Sequence, residues 1–282
     1  MRRFLFSLGL MVLMRLTAGA VEPVVVKDIF YAGTDDRLRA LDVYSPTEGE
    51  RCPVVLWIHG GGWKGGDKGS VQHKPAAFTG RGYVLVSINY RMLPNVSLKE
   101  MMGDVASSVR WVRDNIAKHR GNPESIFVMG HSAGAHLAAL ICTDGRYLGD
   151  AGVSMKCLKG CVPVDVSAYD IPKRIKDLDD GISSNFRLVF STDEAAQREL
   201  SPISYVKEGA VIPPFLILHV ASRADTKAQA HWLADQLRRC GFRARVYAAE
   251  GKTHGSIGGD LGKDGDAPSE EIWKFLTEQR AN

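Results

Sequence analysis

Residues Ser125–Leu140 read SIFVMGHSAGAHLAAL. The apolar run Ile126–Met129 leads into Gly130-His131-Ser132-Ala133-Gly134, and small, apolar residues follow at once. This is a G-x-S-x-G pentapeptide set between strand-like and helix-like sequence, the context that gives the pattern meaning. The reading predicts a buried strand, a sharp turn that holds Ser132, and a helix. Positions two before and two after the serine must lack bulk where strand and helix nearly touch. The helix start would aim its free N–H groups and positive dipole end at the serine. Ser132 is therefore a candidate nucleophile.

Working outward, strand-like runs recur at Val24–Tyr31, Leu38–Tyr44, Val54–His59, Tyr83–Asn89, Ser125–Met129, Leu158–Val164, Phe215–Val220 and Arg243–Ala248. The runs at Val54, Val84, Ile126 and Phe215 are almost continuously apolar, as central strands covered on both faces must be. Met101–His119 sets Val105, Val109, Val112 and Ile116 on one helix face. Gln229–Arg239 and Glu270–Gln279 do likewise, the latter with Ser269 placed as an N-cap. Two early strands followed by alternating strands and helices predict an α/β fold: a mostly parallel eight-stranded sheet with helices on both faces. Residues 21–282 are expected to form one domain, with the strand-poor stretch Asp165–Pro213 as a small cap-like excursion that overhangs the site.

One strand before the serine, His59-Gly60-Gly61-Gly62-Trp63 follows the apolar run Val54–Ile58. Backbone N–H groups approach a developing oxyanion closely only where side chains are absent, and an H-G-G-G loop is the expected partner of such a nucleophile turn. Gly60-x-Gly62-x-x-Gly65 formally matches a dinucleotide fingerprint. That fingerprint needs a helix there and an acidic residue about 20 positions on. No Asp or Glu lies between Lys68 and Lys99, so hydride transfer is excluded. A phosphate-binding loop fails because no Gly-Lys-Ser/Thr follows.

A serine of ordinary acidity needs a base and an orienting acid. Both follow the serine in this chain order, each after a late strand. Pro214–Val220 leads to Asp225, and Arg243–Ala248 leads to His254. These are the expected acid and base, with Asp193 and Glu250 as alternative acids. His219, inside an apolar run, and His136, one turn after Ser132, read as structural.

The chain has 282 residues, 45% hydrophobic and 24% charged, the composition of a globular protein with a sizeable core. Its formal charge is +4, but Arg2, Arg3 and Arg15 lie in the first 20 residues. Those residues pair a basic start with an apolar run, Phe4–Met14, and end in Ala18-Gly19-Ala20. The pattern predicts a secretory signal peptide, 1–20, cleaved after Ala20, and hence a secreted or periplasmic protein. The run is too short to span a bilayer, which takes about 20 residues, and no other stretch of the sequence reads as a membrane span. The remainder is nearly neutral and offers no footprint for nucleic acid or anionic lipid. Five cysteines are not a disulfide framework, and none has zinc-site spacing. Cys157 and Cys161 would be about 13 Å apart in one strand, so their pairing requires a turn or helix between them.

Taken together, the chain resembles an α/β-hydrolase of the carboxylesterase type, in the branch of feruloyl, aryl and acetyl-xylan esterases and arylformamidases. The resemblance runs from about Val24 to Gln279. It rests on His59-Gly60-Gly61-Gly62-Trp63, Gly66-Asp67-Lys68, Asn89-Tyr90-Arg91, Gly130-His131-Ser132-Ala133-Gly134, Leu200-Ser201-Pro202-Ile203-Ser204, Asp225 and His254-Gly255. It implies Ser132 as nucleophile, Asp225 as acid, His254 as base, and Gly61, Gly62 and Ala133 as backbone oxyanion donors. It implies no metal or organic cofactor. Two departures stand out: Asp225 comes two positions late after His219-Val220, and Ala135 replaces a second glycine after the turn. The expected function is a secreted serine carboxylesterase hydrolysing short-chain acyl or aryl esters, plant cell-wall esters among them, on a small-molecule or polysaccharide-linked substrate. Arylformamidase is the neighbouring alternative, and a non-catalytic binding module the remote one.

Overall fold

A computed structural model describes residues 22–178 and 186–280. The expected signal peptide lies outside the described residues. Eight strands form one sheet in the order β1-β2-β4-β3-β5-β6-β7-β8. They are β1 Val24–Phe30, β2 Ala40–Ser45, β3 Cys52–Ile58, β4 Val84–Ile88, β5 Gly121–His131, β6 Leu158–Val164, β7 Phe215–Val220 and β8 Ala244–Ala249. The β1–β2 and β2–β4 pairs are antiparallel and all others are parallel. All eight apolar runs are strands, with ends shifted by a few residues. Two differences are larger. Residues Arg37–Arg39 form a 3₁₀ turn ahead of β2, and β5 begins at Gly121.

The continuous apolar runs are explained by burial on both faces. Along β3, Val54, Leu56 and Ile58 pack into one core with Val105, Val109 and Val112 of the helix Leu98–Asn115. Val55 and Trp57 alternate to the other face, toward Ile272, Phe275 and Leu276 of the helix Ala267–Arg280. The helix Leu98–Asn115 starts three residues before its first expected position, because Ser97 and Glu100 form a reciprocal capping box. Likewise, Gln229–Arg239 is the later part of the helix Ala224–Arg239. Ser269 is not an N-cap. It lies inside the last helix, where its backbone N–H donates to the Asp266 carboxylate at 3.0 Å. Among the described residues no helix is long and apolar enough to cross a membrane. All five cysteines are free thiols; Cys157 ends a 3₁₀ turn and Cys161 lies inside β6.

The parallel register places the functional edge. Ile58 pairs with Gly130, His131 with Val164, and Val164 with Leu218. The residues just beyond these pairs, His59, Ser132 and Asp165, therefore emerge side by side at the carboxyl ends of the strands, where ligand sites of such sheets form.

Candidate active site

Ser132 sits between β5 and the helix Ala133–Thr143 with φ +55° and ψ −124°. A non-glycine residue held there carries about 1–3 kcal/mol of strain, which the surrounding turn must sustain. It does so through a hydrogen bond from the Ser132 N–H to Val164 O at 3.0 Å. The glycines make the turn sterically possible. A Cβ on Gly130 would meet Gly134 O at 2.3 Å, and one on Gly134 would meet Ile58 O at 2.1 Å.

His254, first residue of the short helix that follows β8, reaches Ser132. Its Nε2 accepts from the Ser132 hydroxyl at 2.9 Å, and its Nδ1–H donates to Asp165 Oδ2 at 2.6 Å. The expected acid, Asp225, is not there. Its Oδ2 accepts from Arg223 at 2.8 Å and from Arg174 at 3.1 Å instead. The carboxylate at His254 comes from the end of β6, one strand earlier than expected, and at the end of β7 stands the cation Arg223. Nor do the alternatives reach the site. Asp193 caps the helix Glu194–Glu199, and Glu250 is exposed.

Asp165 is fully buried, with φ +52°. Burial alone would raise its pKa. The opposing effects win: hydrogen bonds from His254, the Val220 N–H at 3.0 Å and Thr226, together with the Arg223 guanidinium, hold its carboxyl well below the usual range. The imidazole thus faces a fixed negative charge.

The glycine loop lies against the serine. A Cβ on Gly60 would meet the Ser132 Cβ at 2.9 Å, and Gly61 and Gly62 take φ values of +123° and +62°. Among the described residues, no backbone hydrogen bond of the turns uses the N–H groups of Gly61, Gly62 or Ala133. Gly61 and Gly62 line the same cavity as Ser132, and Ala133 follows it directly, so these are the candidate oxyanion donors.

The family model of BD-FAE matches residues 41–231, more than half of the chain. The chain belongs to the BD-FAE family. Among curated relatives, it is 28% identical over 247 residues to a probable isoprenylcysteine alpha-carbonyl methylesterase of Arabidopsis thaliana, covering 82% of this chain and 51% of that one. It is 29% identical over 241 residues to the esterase LipQ of Mycobacterium tuberculosis, covering 80% and 56%. The chain spans about half the length of these relatives. Two solved structures share the fold. A truncated carbohydrate esterase from gut microbiota has a TM-score of 0.76 at 21% identity, covering 94% of this chain and 99% of that one. Esterase B from Lactobacillus rhamnosus has 0.73 at 21%, covering 93% and 86%. The α/β-hydrolase fold expected from the sequence is the fold of this BD-FAE member.

Two cavities flank Ser132 in this BD-FAE chain. One, of about 470 Å³, is lined by Gly60–Gly62, His59, Gln72 and His131. The other, of about 310 Å³, is lined by Trp63, Val166, Phe186 and Arg223. Phe186 and Phe190, from the excursion after β6, stand edge-on to Trp63 at 6.3 and 4.8 Å. Two histidines support the site from within the fold. His136 is buried, accepts from Trp63 Nε1 at 3.3 Å and donates to Leu200 O at 2.8 Å. His131 donates from Nε2 to His254 O at 2.7 Å, which ties the serine turn to the base's own backbone. His219 is buried inside β7, as read from the sequence. Asp165, Arg223 and this use of His131 were missed by sequence reasoning. The available signal for Asp165 was a carboxylate directly after the apolar run Leu158–Val164.

Among the described residues no group of three or more His, Cys, Asp or Glu side chains is placed to hold a metal ion.

Proposed function

We propose that this chain is a serine carboxylesterase working through Ser132, His254 and Asp165. The carrying observation is the single imidazole that bridges the Ser132 hydroxyl at 2.9 Å and a buried carboxylate at 2.6 Å. As Ser132 Oγ attacks the ester carbonyl, its proton passes to His254 Nε2, and Asp165 stabilises the imidazolium. The carbonyl oxygen becomes an oxyanion facing the N–H groups of Gly61, Gly62 and Ala133. Collapse expels the alcohol, which takes the proton back from Nε2 and leaves an acyl-enzyme. Water then repeats the sequence, releasing the acid and restoring Ser132. Every step uses groups of this chain.

Support for an ester substrate comes from the relatives, named as methylesterases and esterases. The cap-like excursion contributes Phe186 to one cavity wall and so helps define which short acyl or aryl group fits. We place the enzyme outside the cytoplasm on the pattern of residues 1–20.

The test is one panel: p-nitrophenyl esters of graded acyl length, methyl ferulate, acetylated xylan and N-formylkynurenine, with wild type and Ser132→Ala. Short esters should be cleaved, and Ser132→Ala should lose on the order of 10⁶ in turnover. Preference for N-formylkynurenine would move the reading to amide hydrolysis, and Ser132→Ala retaining a few per cent of activity would end it. Export is tested by amino-terminal sequencing, which should read Val21. Material that keeps Met1 and stays in the cytoplasm would refute it.

A further inference from the structure

Arg223 stands three residues past the end of β7, at the N-cap of the helix Ala224–Arg239, and touches both halves of a carboxylate pair. Its Nη1 donates to Asp165 Oδ2 at 2.7 Å, and its Nη2 to Asp225 Oδ2 at 2.8 Å. Arg174, on the helix Ile171–Lys176, donates to the same Asp225 oxygen. A guanidinium is a rigid planar fork, so the two carboxylates are fixed relative to each other. Asp165 Oδ2 thus accepts twice, once from His254 and once from Arg223. The same Nη1 lies 3.0 Å from His254 Nδ1.

We propose that Arg223 is a positioning residue of the hydrolytic site: it clamps Asp165 beneath His254 and opposes, by its charge, the build-up of imidazolium. This rests on the esterase reading above.

The charged and titratable groups around His254 define the argument. Asp165 faces it from β6, Arg223 from β7 and His131 from β5, with the rings of His131 and His254 4.6 Å apart. At the other end of the helix His254–Gly259, Lys74 Nζ donates to Gly258 O at 2.8 Å, and Lys74 lines the same cavity as Ser132 and His254. Asp225 and Arg174 offset each other one layer further out. Burial and the neighbouring His254 push the pKa of His131 down to about 4, so that ring adds no charge at neutral pH. The two charges nearest His254 Nδ1 are the Asp165 carboxylate at 2.6 Å and the Arg223 guanidinium at 3.0 Å.

Two effects follow and can be separated. Loss of the cation leaves Asp165 unopposed, so the resting imidazole holds a proton to higher pH. Loss of the fork loosens Asp165 and lowers the plateau rate. Arg223→Gln removes both; Arg223→Lys keeps the charge and loses the fork. The experiment measures kcat and KM for p-nitrophenyl acetate from pH 4 to 9 in wild type, both variants, Asp165→Asn and Ser132→Ala, with circular dichroism to check folding. In Arg223→Gln the acid limb of kcat/KM should move up by about one pH unit, with kcat falling about tenfold at nearly constant KM. In Arg223→Lys the limb should stay while the plateau falls. An unmoved limb in folded Arg223→Gln overturns the proposal. Should that variant fail to fold, Arg223→Lys decides: a lower plateau supports the clamp, and a wild-type profile overturns it. With Ser132→Ala and Asp165→Asn inactive, a negative result removes only the role of Arg223. An active Ser132→Ala removes the esterase reading itself.

Discussion

The Asp165 carboxylate and the His254 imidazole meet at 2.6 Å although 89 positions separate them in the chain. The contact exists because β6 and β8 end at the same sheet edge, one strand apart. It predicts which carboxylate matters. Asp165→Asn keeps the shape and loses the charge that fixes the imidazole tautomer, so kcat should fall by roughly 10⁴. Asp225→Asn should keep turnover within about tenfold, since that side chain reaches His254 only through Arg223. Steady-state kinetics of the two variants decide it, and the reverse ranking would restore the sequence expectation.

That expectation failed for a definite reason. Buried parallel strands are apolar throughout, and a nucleophile turn needs glycine at 130 and 134, so the sheet and Ser132 were legible. His254 was legible because only one histidine follows a late strand in the required order. An acid has no such constraint. Any carboxylate at the carboxyl end of a neighbouring strand can reach the base, and sequence does not rank them. Asp165 follows β6 with no glycine or other mark. Its identity rests on register: Val164 pairs with His131 and accepts from Ser132, which brings the next residue under the site. The late position of Asp225 was the visible warning, and Arg223 just ahead of it a second one.

Gly134 tests the steric account of the turn. A methyl group there would lie 2.1 Å from Ile58 O and 2.5 Å from His59 O, both backbone atoms of the strand end that carries the glycine loop. Neither can yield without moving Gly60–Gly62. Gly134→Ala should lower stability by about 1–3 kcal/mol, as overpacking does, and should reduce kcat further by displacing the oxyanion donors. Gly255→Ala is the control, because a Cβ there meets nothing within 4 Å. Equal melting temperatures for the two variants would contradict the packing argument.

Trp63 links the glycine loop to the excursion after β6. It is buried, packs edge-on against Phe190 at 4.8 Å and donates to His136. Removing its indole opens the wall of the smaller cavity and leaves His136 Nδ1 without its donor. Trp63→Ala should cost about 3–5 kcal/mol and weaken discrimination between acyl lengths. Urea titration reads the first effect and a p-nitrophenyl ester series the second. A variant as stable and as selective as wild type would show the contact to be incidental.

Acid stability should follow the buried histidines. His136 is fully buried, and burial pushes its pKa down to about 4 against an ordinary value of 6.5, only partly offset by its bond to Leu200 O. Below about pH 6.5 the unfolded chain takes up a proton that the folded ring refuses, so the unfolded state binds more protons. Stability therefore rises with pH between about 4 and 6.5 and is lost as pH falls through that window. The depressed group is neutral when folded, and the loss is complete once pH drops below about 4. A difference of this size corresponds to roughly 3 kcal/mol. His136→Gln, which does not titrate, should flatten the slope of unfolding free energy against pH across the window, even if it lowers stability at pH 7 by weakening the bonds to Trp63 and Leu200. Urea unfolding at pH 7.0, 6.0, 5.0 and 4.5 for both proteins measures the two slopes. Parallel slopes would mean that His136 takes up its proton without unfolding, and the buried-histidine account of acid sensitivity would be wrong.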